Sequence, residues 1–230
     1  MTETVDVTAA REAPVSADAI WQSSTRVCRI KDFLPSAEAT SLRERAISAT
    51  REDLLPARVR GNQLDMRTRR SLTHRGFPAP ELLAGIDAVI GQVEKALGVS
   101  CDGTQPSYTL NVHNDGDFYR AHQDVSSQDA AKGVLAAQRV LTFVYYVHRT
   151  PAPFTGGALR VYDSAVPLNL RHDRLSQQDC SYRDYPPEHN SVVFFLPSSL
   201  HGVLPVTCPS GDYADSRFAI NGWLCRSDAP

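Results

Sequence analysis

The sequence feature that most restricts the fold is a run of short strand-like segments between residues 105 and 225. Each segment is apolar or alternates between apolar and polar residues, and Gly, Pro, Asn and Asp residues typical of turns separate one segment from the next. The predicted strands are Ser107–Val112, Asp117–Ala121, Arg139–His148, Ala158–Tyr162, Ser191–Leu196, Val203–Thr207 and Arg217–Cys225. This pattern predicts a β-sandwich or barrel.

Two helices are predicted before the strand region. A strand over Val27–Phe33 leads into the first helix, which begins with Ser36 as its N-cap and ends near Thr50. The second helix begins near Pro80 and ends at Gly98, and its aliphatic residues recur at helical spacing. The residues on its apolar face are Leu82, Ile86, Val89, Val93 and Leu97. We therefore expect a mainly β (α+β) fold in which two N-terminal helices buttress one face of a barrel.

Length and composition favour one domain. The chain has 230 residues, of which 42% are hydrophobic and 22% charged, so it can form a sizeable core. We predict a flexible tail over residues 1–22 and a single domain over residues 23–230, with the barrel core at about 105–225. No apolar run approaches the roughly 20 residues of a membrane-spanning helix. The net charge of -2 argues against nucleic acid as the partner.

The cysteines and the N-terminus bear on the cellular compartment. Five cysteines lie far apart in the sequence, and none forms a Cys-x-x-Cys pair, so neither a disulfide framework nor a zinc finger is expected. The N-terminal residues lack the basic start and apolar core of a secretory signal. We therefore expect a cytoplasmic protein, whose oligomeric state the sequence leaves open.

Two His-x-Asp triplets lie within the strand region. The first, His113–Asp115, is followed by Gly116, a combination typical of a tight turn, so we expect its side chains to serve the turn and face solvent. The second contains His122 and Asp124 and follows a strand-like segment. Strand alternation places these two side chains on one face, where both can bind one ion.

A third ligand would come from a histidine further along the chain. The choices are His148, His172, His189 and His201. His201 lies between two apolar segments and would be deep in a barrel, which favours it over the others. Two histidines and one carboxylate form the facial triad of non-haem Fe(II) oxygenases, although zinc hydrolases use the same types of ligand.

The last predicted strand begins with an arginine. Alternation places Arg217, Ala219, Asn221 and Trp223 on one face of this strand. An arginine buried there needs an anion, and its planar guanidinium matches a carboxylate such as the distal end of 2-oxoglutarate. A structural salt bridge to a nearby Asp explains the same residue equally well.

With these motifs, the sequence resembles the Fe(II)/2-oxoglutarate-dependent dioxygenase superfamily, specifically its prolyl-4-hydroxylase-like branch. The resemblance rests on Gly116–Asp124, Arg139–Val147, Phe154–Tyr162, Asn190–Val206 and Arg217–Leu224, which occur in the family's order. It implies a double-stranded β-helix, which is a jelly-roll or cupin-like barrel. It also implies Fe(II) as cofactor, 2-oxoglutarate and O2 as co-substrates, and ascorbate as an optional reductant.

The resemblance also implies roles for individual residues. The assigned residues are His122, Asp124 and His201 for Fe(II), and Arg217, Tyr146 and Asn221 for 2-oxoglutarate. Relatives often carry a tyrosine about ten residues before the first metal histidine, where this chain has Val112, with Tyr108 and Asn111 nearby. Family halogenases have a small residue in place of the carboxylate. Because Asp124 is present, we expect oxygen insertion.

The substrate contacts are predicted from residues 51–75, which contain seven arginines and which help to cover the substrate in relatives. The candidate substrate residues are Arg67, Arg69 and Arg70. They favour an acidic small molecule or amino acid, unless they simply form a solvated strand pair. No aromatic residues alternate with the arginines as in single-stranded nucleic-acid binding. The polar segment 168–190 is either a lid or a long connection.

The predicted reaction is hydroxylation of an unactivated C–H bond of a small molecule, with release of succinate and CO2. A hydroxylase that modifies a prolyl or other residue of a peptide or protein is the first alternative. The second is a barrel that binds a metal or ligand without catalysis. The complete set of His122, Asp124, His201 and Arg217 argues against this second alternative.

Overall fold

A computed structural model describes residues 20–49, 52–59, 63–125, 138–167 and 181–226. The helices are α1 Ser36–Ser48, α2 Pro80–Leu97 and a short 3-10 helix at Tyr213–Asp215. The strands are β1 Ile20–Ser23, β2 Val27–Ile30, β3 Leu54–Pro56, β4 Arg69–Arg70, β5 Leu72–Arg75, β6 Thr104–His113, β7 Phe118–His122, β8 Arg139–Tyr146, β9 Thr155–Gly156, β10 Leu159–Tyr162, β11 Ser164–Pro167, β12 Tyr182–Tyr185, β13 Ser191–Phe195, β14 His201–Val203, β15 Val206–Thr207 and β16 Arg217–Arg226.

Two antiparallel sheets form the walls of the predicted double-stranded β-helix. The larger sheet has the order β2-β13-β8-β16-β6-β5-β3, and the smaller has the order β12-β10-β14-β7-β4. Two further pairs, β1-β11 and β15-β9, lie outside these sheets. Among the described strands the two walls do not join into one closed barrel. The predicted fold class, mainly β with two N-terminal helices, is confirmed.

Strand alternation separates two cores. On β8, Phe143 and Tyr145 belong to the same buried cluster as Leu82 and Ile86 of α2, so this face of the larger sheet packs against the helices. On the other face, the buried cluster is formed by Val144, Tyr146, Leu159, Val161, Val193, Phe195 and Ala219, from both sheets. The inner core therefore lies between the walls, and it is small enough to leave room for a cavity.

The helix ends follow local chemistry. Gly98 has a left-handed φ of 71° and its N–H donates to Glu94 O at 2.7 Å, so it terminates α2 as predicted. The predicted N-cap Ser36 is wrong, because Ser36 is the first residue of α1 and Pro35 precedes it without a side-chain cap. Pro35 has an extended ψ of 141°, and its carbonyl accepts the first helical hydrogen bond, from Ala39 N–H.

Parts of the predicted tail and of the polar segment lie outside the described residues. Of residues 1–22, only the last three are described, and they belong to β1, which pairs with β11. Of residues 168–190, the described part contains β12, which pairs with β10. Within the described ranges, no helix combines the length and apolar character needed to span a membrane. Cys28, Cys101, Cys208 and Cys225 are free thiols.

Candidate metal centre

The fold brings His122, Asp124 and His201 together. The strands β7 and β14 are antiparallel neighbours, and their register pairs His122 with His201. His122 Nε2 lies 3.7 Å from Asp124 Oδ1, and His201 Nε2 lies 3.8 Å from Asp124 Oδ2. One ligand atom from each residue lies within 4.8 Å of the others. Two imidazoles and a carboxylate so placed can bind one ion and leave coordination positions free.

Backbone carbonyls orient both imidazoles. His122 Nδ1 donates to Arg120 O and His201 Nδ1 donates to Ser199 O, each at 2.9 Å. A nitrogen that donates to a carbonyl carries the proton, so in each neutral ring Nε2 has the free lone pair. Metal-binding histidines usually donate such a hydrogen bond from the ring nitrogen that does not bind the metal, and this bond fixes the orientation of the ring. Both Nε2 atoms therefore face the candidate site in the form that binds a metal.

The carboxylate is held in its ionised form. Asp124 is buried, and its Oδ2 accepts hydrogen bonds from Thr142 Oγ1 at 2.9 Å and from Trp223 Nε1 at 2.8 Å. Burial alone would raise the pKa of Asp124, but His201, His122 and Trp223 hold this pKa well below its ordinary value. Burial, together with the neighbouring His122, lowers the pKa of His201 to about 4. Near neutral pH Asp124 is thus ionised and His201 neutral, which are the forms that bind a cation.

A glycine allows the two histidine strands to approach. A Cβ at Gly202 would lie 2.9 Å from Tyr119 O and 3.0 Å from Ala121 N, which are backbone atoms of β7. Gly202 directly follows His201, so the close backbone contact is at the position where the two metal-binding histidines pair. Sequence reasoning missed this role of Gly202, because the only sign of it in the sequence is a glycine directly after His201.

Arg217 lines the same cavity as the three metal-binding residues. It is 1% exposed, its Nε donates to Gly157 O at 2.7 Å, and its Cζ lies 5.0 Å from the centre of the Tyr146 ring. Burial lowers the pKa of this guanidinium. Among the described residues no carboxylate forms an ion pair with Arg217, so they provide no structural salt bridge to explain it. A buried arginine without a counter-ion is costly unless a ligand supplies the anion.

The groups around Arg217 have unused hydrogen-bonding capacity. Buried polar atoms without a partner in the described part of the chain include Arg217 Nη2, the Tyr146 hydroxyl, Asn221 Oδ1 and His113 Nε2. Buried polar groups are normally hydrogen-bonded, so such a group of unpaired atoms indicates a polar ligand. The guanidinium and the phenol are suitable donors to a carboxylate, and these residues therefore fit the distal end of 2-oxoglutarate.

Gly157 shapes the backbone beneath Arg217. It has a left-handed φ of 66°, and a Cβ there would lie 2.6 Å from Arg217 Cδ. Its carbonyl accepts from Arg217 Nε, and its N–H donates to Pro205 O at 3.0 Å. Gly157 therefore both orients the arginine and leaves space for its side chain, a role that sequence reasoning missed although the Gly156-Gly157 pair was visible.

The prediction for His113 is wrong. It was expected to serve a turn and face solvent, but it is 2% exposed and is the last residue of β6, opposite Arg217. Its Nδ1 lies 3.5 Å from Arg217 Nη1, and burial, Arg217 and Arg69 lower its pKa well below the ordinary value. The turn itself begins one residue later, where Asn114 N–H donates to Asp117 Oδ2 at 2.9 Å.

A cavity of about 310 Å³ lies between the two walls, and its lining includes His113, His122, Asp124, His201, Arg217 and Asn221. Of the predicted substrate residues, Arg69 lines the cavity, whereas Arg67 and Arg70 are exposed and do not line it. Arg70 Nε instead lies 3.5 Å from Asp117 Oδ1. Asn111 also faces the cavity. Its neighbour Val112 faces the helix-packed core.

The chain matches the family model of the 2OG-Fe(II) oxygenase superfamily over residues 108–225, just over half of its length. It therefore belongs to this superfamily, whose members use Fe(II), 2-oxoglutarate and O2, and it is classed with the iron-dependent dioxygenases. An uncharacterized PKHD-type hydroxylase from Synechocystis sp. is 37% identical over 115 residues, which are 50% of this chain and 34% of that protein. The match thus spans only about a third of that relative.

Solved structures share the fold at low identity. A prolyl-4-hydroxylase from Pseudomonas putida has a TM-score of 0.60 and 21% identity, covering 88% of this chain and 94% of that one. A prolyl hydroxylase from Trichoplax adhaerens, in complex with a peptide fragment of hypoxia inducible factor, has a TM-score of 0.62 and 19% identity, covering 88% and 84%. The carbocyclase SnoK from nogalamycin biosynthesis has a TM-score of 0.55 and 14% identity, covering 89% and 81%.

Proposed function

We propose that this chain hydroxylates an unactivated C–H bond of a small molecule, and couples this reaction to the conversion of 2-oxoglutarate into succinate and CO2. The observation that carries the proposal is the combination of the His122, Asp124 and His201 ligand set with the unpaired, buried Arg217 in one cavity. A metal site alone would also suit a hydrolase. A buried cation that lacks a counter-ion within the same cavity favours a metal-bound keto acid.

Each residue has a defined part in this proposal. His122, Asp124 and His201 would hold Fe(II), which supplies the activation of O2 when it is bound. Arg217 and the Tyr146 hydroxyl would bind the distal carboxylate of 2-oxoglutarate, and Asn221 would contact the same molecule. The remaining cavity walls exclude water from the reacting atoms. Thr142 and Trp223 keep the Asp124 carboxylate in place through their hydrogen bonds to Oδ2.

The size of the cavity supports a small-molecule substrate. At about 310 Å³ it is at the lower end of the range for ligand pockets, and it must also contain the co-substrate. A hydroxylase of a peptide residue is the second candidate, because the Trichoplax structure contains a bound peptide fragment. Such an enzyme would admit only one side chain to the metal, and the two candidates are separated by substrate screening.

The first test is anaerobic addition of Fe(II) and then 2-oxoglutarate to the purified protein. We expect a weak visible charge-transfer band from the metal-chelated keto acid. His201→Ala is expected to abolish the band, since it removes a metal ligand. Arg217→Ala is expected to keep the band but to raise the 2-oxoglutarate concentration needed by at least about tenfold, because a charged hydrogen-bonded pair is lost.

The possible results separate the alternatives. If Fe(II) binds and no band forms, the oxygenase proposal fails and a non-catalytic metal-binding barrel is favoured. A band that survives His201→Ala would show that a different residue is the third ligand. If Arg217→Ala leaves the 2-oxoglutarate affinity unchanged, then Arg217 does not bind the co-substrate. Release of succinate during a screen of small molecules and of peptides would then distinguish the two substrate classes.

A further inference from the structure

The cavity has more positive charge than the metal and co-substrate require. The charged residues that line it are Arg58, Arg69, Arg75, Arg139, Arg217 and Asp124. If the proposed function is correct, Fe(II) brings two positive charges, Asp124 one negative charge, 2-oxoglutarate two negative charges and Arg217 one positive charge. These sum to zero. Arg69 and Arg139 therefore add positive charge that these groups do not compensate.

Arg69 is held in the cavity by neutral groups. Its Nε donates to Ser71 Oγ at 3.0 Å, and its Nη2 donates to Asn111 Oδ1. Its Cζ lies 4.6 Å from the centre of the Tyr119 ring, and no carboxylate of the described residues is paired with it. These contacts fix the direction of the guanidinium without neutralising it. Desolvation on burial lowers its pKa, so its position in the cavity is costly in the absence of an anion.

Arg139, which lines the same cavity, is fixed in a similar way. Its Nη1 donates to the Asp124 backbone carbonyl at 3.0 Å, and its Cζ lies 3.6 Å from the centre of the Trp223 ring. It too is half-buried and has no ion pair with a described carboxylate. A cation–π contact and a backbone hydrogen bond hold the group in position but leave its charge available.

Both arginines are one aromatic residue away from a metal ligand. Tyr119, beneath Arg69, stacks on His122 with ring centres 3.7 Å apart. Trp223, beneath Arg139, donates to the Asp124 carboxylate. Because both arginines line the same cavity as the three metal-binding residues, an anion bound there would lie close to the metal.

We propose that Arg69 and Arg139 form a recognition site for an anionic group of the primary substrate, a carboxylate or a phosphate. This inference rests on the proposed function, and it adds the chemical class of the substrate. The anionic group would anchor one end of the molecule at the two guanidinium groups, so that a nearby C–H bond faces the iron. The substrate is therefore a small acid rather than a neutral or cationic compound.

The test uses matched probes with the anaerobic protein loaded with Fe(II) and saturating 2-oxoglutarate. The acidic probes are free L-glutamate, N-acetyl-L-glutamate amide as a mimic of a peptide residue, and O-phosphoserine. Each is compared with an uncharged counterpart, namely N-acetylglutamine amide for the two glutamate probes and N-acetylserine amide for O-phosphoserine. Binding is followed by the change in the charge-transfer band, and stimulation of turnover by succinate release after O2 is added.

The variants are Arg69→Gln and Arg139→Gln, with Arg70→Gln as the matched control. Arg70 is next to Arg69 in the sequence but lies outside the cavity, beside Asp117. We expect at least one acidic probe to bind the wild-type protein and its neutral counterpart to bind more weakly. Each cavity variant should weaken binding of the acidic probe by about tenfold or more, through loss of a charged hydrogen bond. The affinity for 2-oxoglutarate should change by less than about twofold, because Arg217 is intact.

The identity of the best acidic probe separates a free acid, a peptide residue and a phosphate as the source of the anion. The proposal is overturned if acidic and neutral probes bind equally, or if no acidic probe changes the band. It is also overturned if Arg69→Gln and Arg139→Gln bind the acidic probe as tightly as Arg70→Gln does. The same holds if these two variants weaken the binding of 2-oxoglutarate and not that of the acidic probe. A wild-type protein that shows no band at all would overturn the proposed function, and this inference with it.

Discussion

At the scale of single residues, His113 has one polar atom that no described group contacts. Its Nδ1 is near Arg217 Nη1, so Nδ1 acts as the acceptor and Nε2 carries the proton of the neutral ring. That Nε2 is buried and has no partner among the described residues. His113 thus has two functions: it orients the guanidinium of Arg217, and it presents a donor in the same cavity.

We expect His113→Leu to weaken the affinity for 2-oxoglutarate by about tenfold, because the substitution keeps a similar volume but removes both polar contacts. Fe(II) affinity should remain close to that of the wild type, since His113 is not a metal ligand. Titration of the anaerobic Fe(II) protein with 2-oxoglutarate measures the first quantity, and metal binding without the keto acid measures the second. An unchanged 2-oxoglutarate affinity would show that His113 is only a packing residue.

His113 also shows why residue-level prediction failed here. The Asn-Asp-Gly turn was correctly recognised, and Gly116 has the left-handed φ of 72° expected of it. The strand before the turn was taken to end at Val112, one residue too early. Because side chains alternate along a strand, the extra residue lies on the inner face of β6 and is buried rather than exposed. The sequence contains no signal that fixes a strand end to one residue.

At the scale of secondary structure elements, the approach of β7 to β14 determines the geometry of the metal site. Only three residues form β14, and its register with β7 shifts between His201 and Val203. The contact depends on Gly202, whose missing side chain lets the backbones meet. A methyl group at this position would meet backbone atoms of β7. The clash could therefore be relieved only by moving the backbone, and not by turning a side chain aside.

Gly202→Ala should therefore separate the two histidines and lower Fe(II) affinity by at least about tenfold, while the protein stays folded. The matched control is Gly91→Ala in α2, where a Cβ would meet nothing within 4 Å. This control should leave metal affinity unchanged and slightly raise thermal stability, because alanine is the better helix former. Titration of both variants with Fe(II) measures the metal affinity, and thermal unfolding of both measures the stability. Equal metal affinity in the two would mean that β7 and β14 can adapt to the added methyl group.

Two of the longer elements were predicted closely, whereas β6 begins three residues before its predicted start and the shortest strands were not predicted. α2 and β16 have strong periodicity, and both were located to within one residue at each end. Residues 51–75 contain β3, β4 and β5, and β4 has only two residues, too few for any periodicity. The predicted strand Val203–Thr207 is divided, because Pro205 has no N–H to donate and lies between β14 and β15. The pairing of such short strands depends on tertiary contacts.

At the scale of the whole molecule, the domain contains several histidines that burial keeps neutral. The histidines with a lowered pKa are His113, His148, His189 and His201. Of these, His148 does not line the metal-site cavity; it lies next to Phe154, and its Nδ1 donates to Arg149 O at 2.9 Å. Its effect on stability can therefore be measured without replacing a residue of that cavity.

Burial lowers the pKa of His148 to about 4, from an ordinary value of 6.5. The unfolded chain therefore binds this proton more tightly than the folded protein does. The contribution of a neutral His148 to stability is complete above about pH 6.5, and is lost as the pH falls from 6.5 toward 4. The loss from this residue should amount to roughly 2–3 kcal/mol of unfolding free energy at the acidic end.

Urea unfolding of the metal-free protein at several pH values between 4 and 7.5 measures this loss, with a chelator present so that metal binding adds no pH dependence of its own. The comparison variant is His148→Asn, which keeps a side-chain donor for Arg149 O but has no group that titrates in this range. We expect the variant to be less stable at neutral pH, since it packs less well against Phe154, and to lose less stability on acidification. If the two proteins lose the same free energy over this range, then His148 is not among the residues responsible for the acid sensitivity of the domain, and the remaining buried histidines account for it.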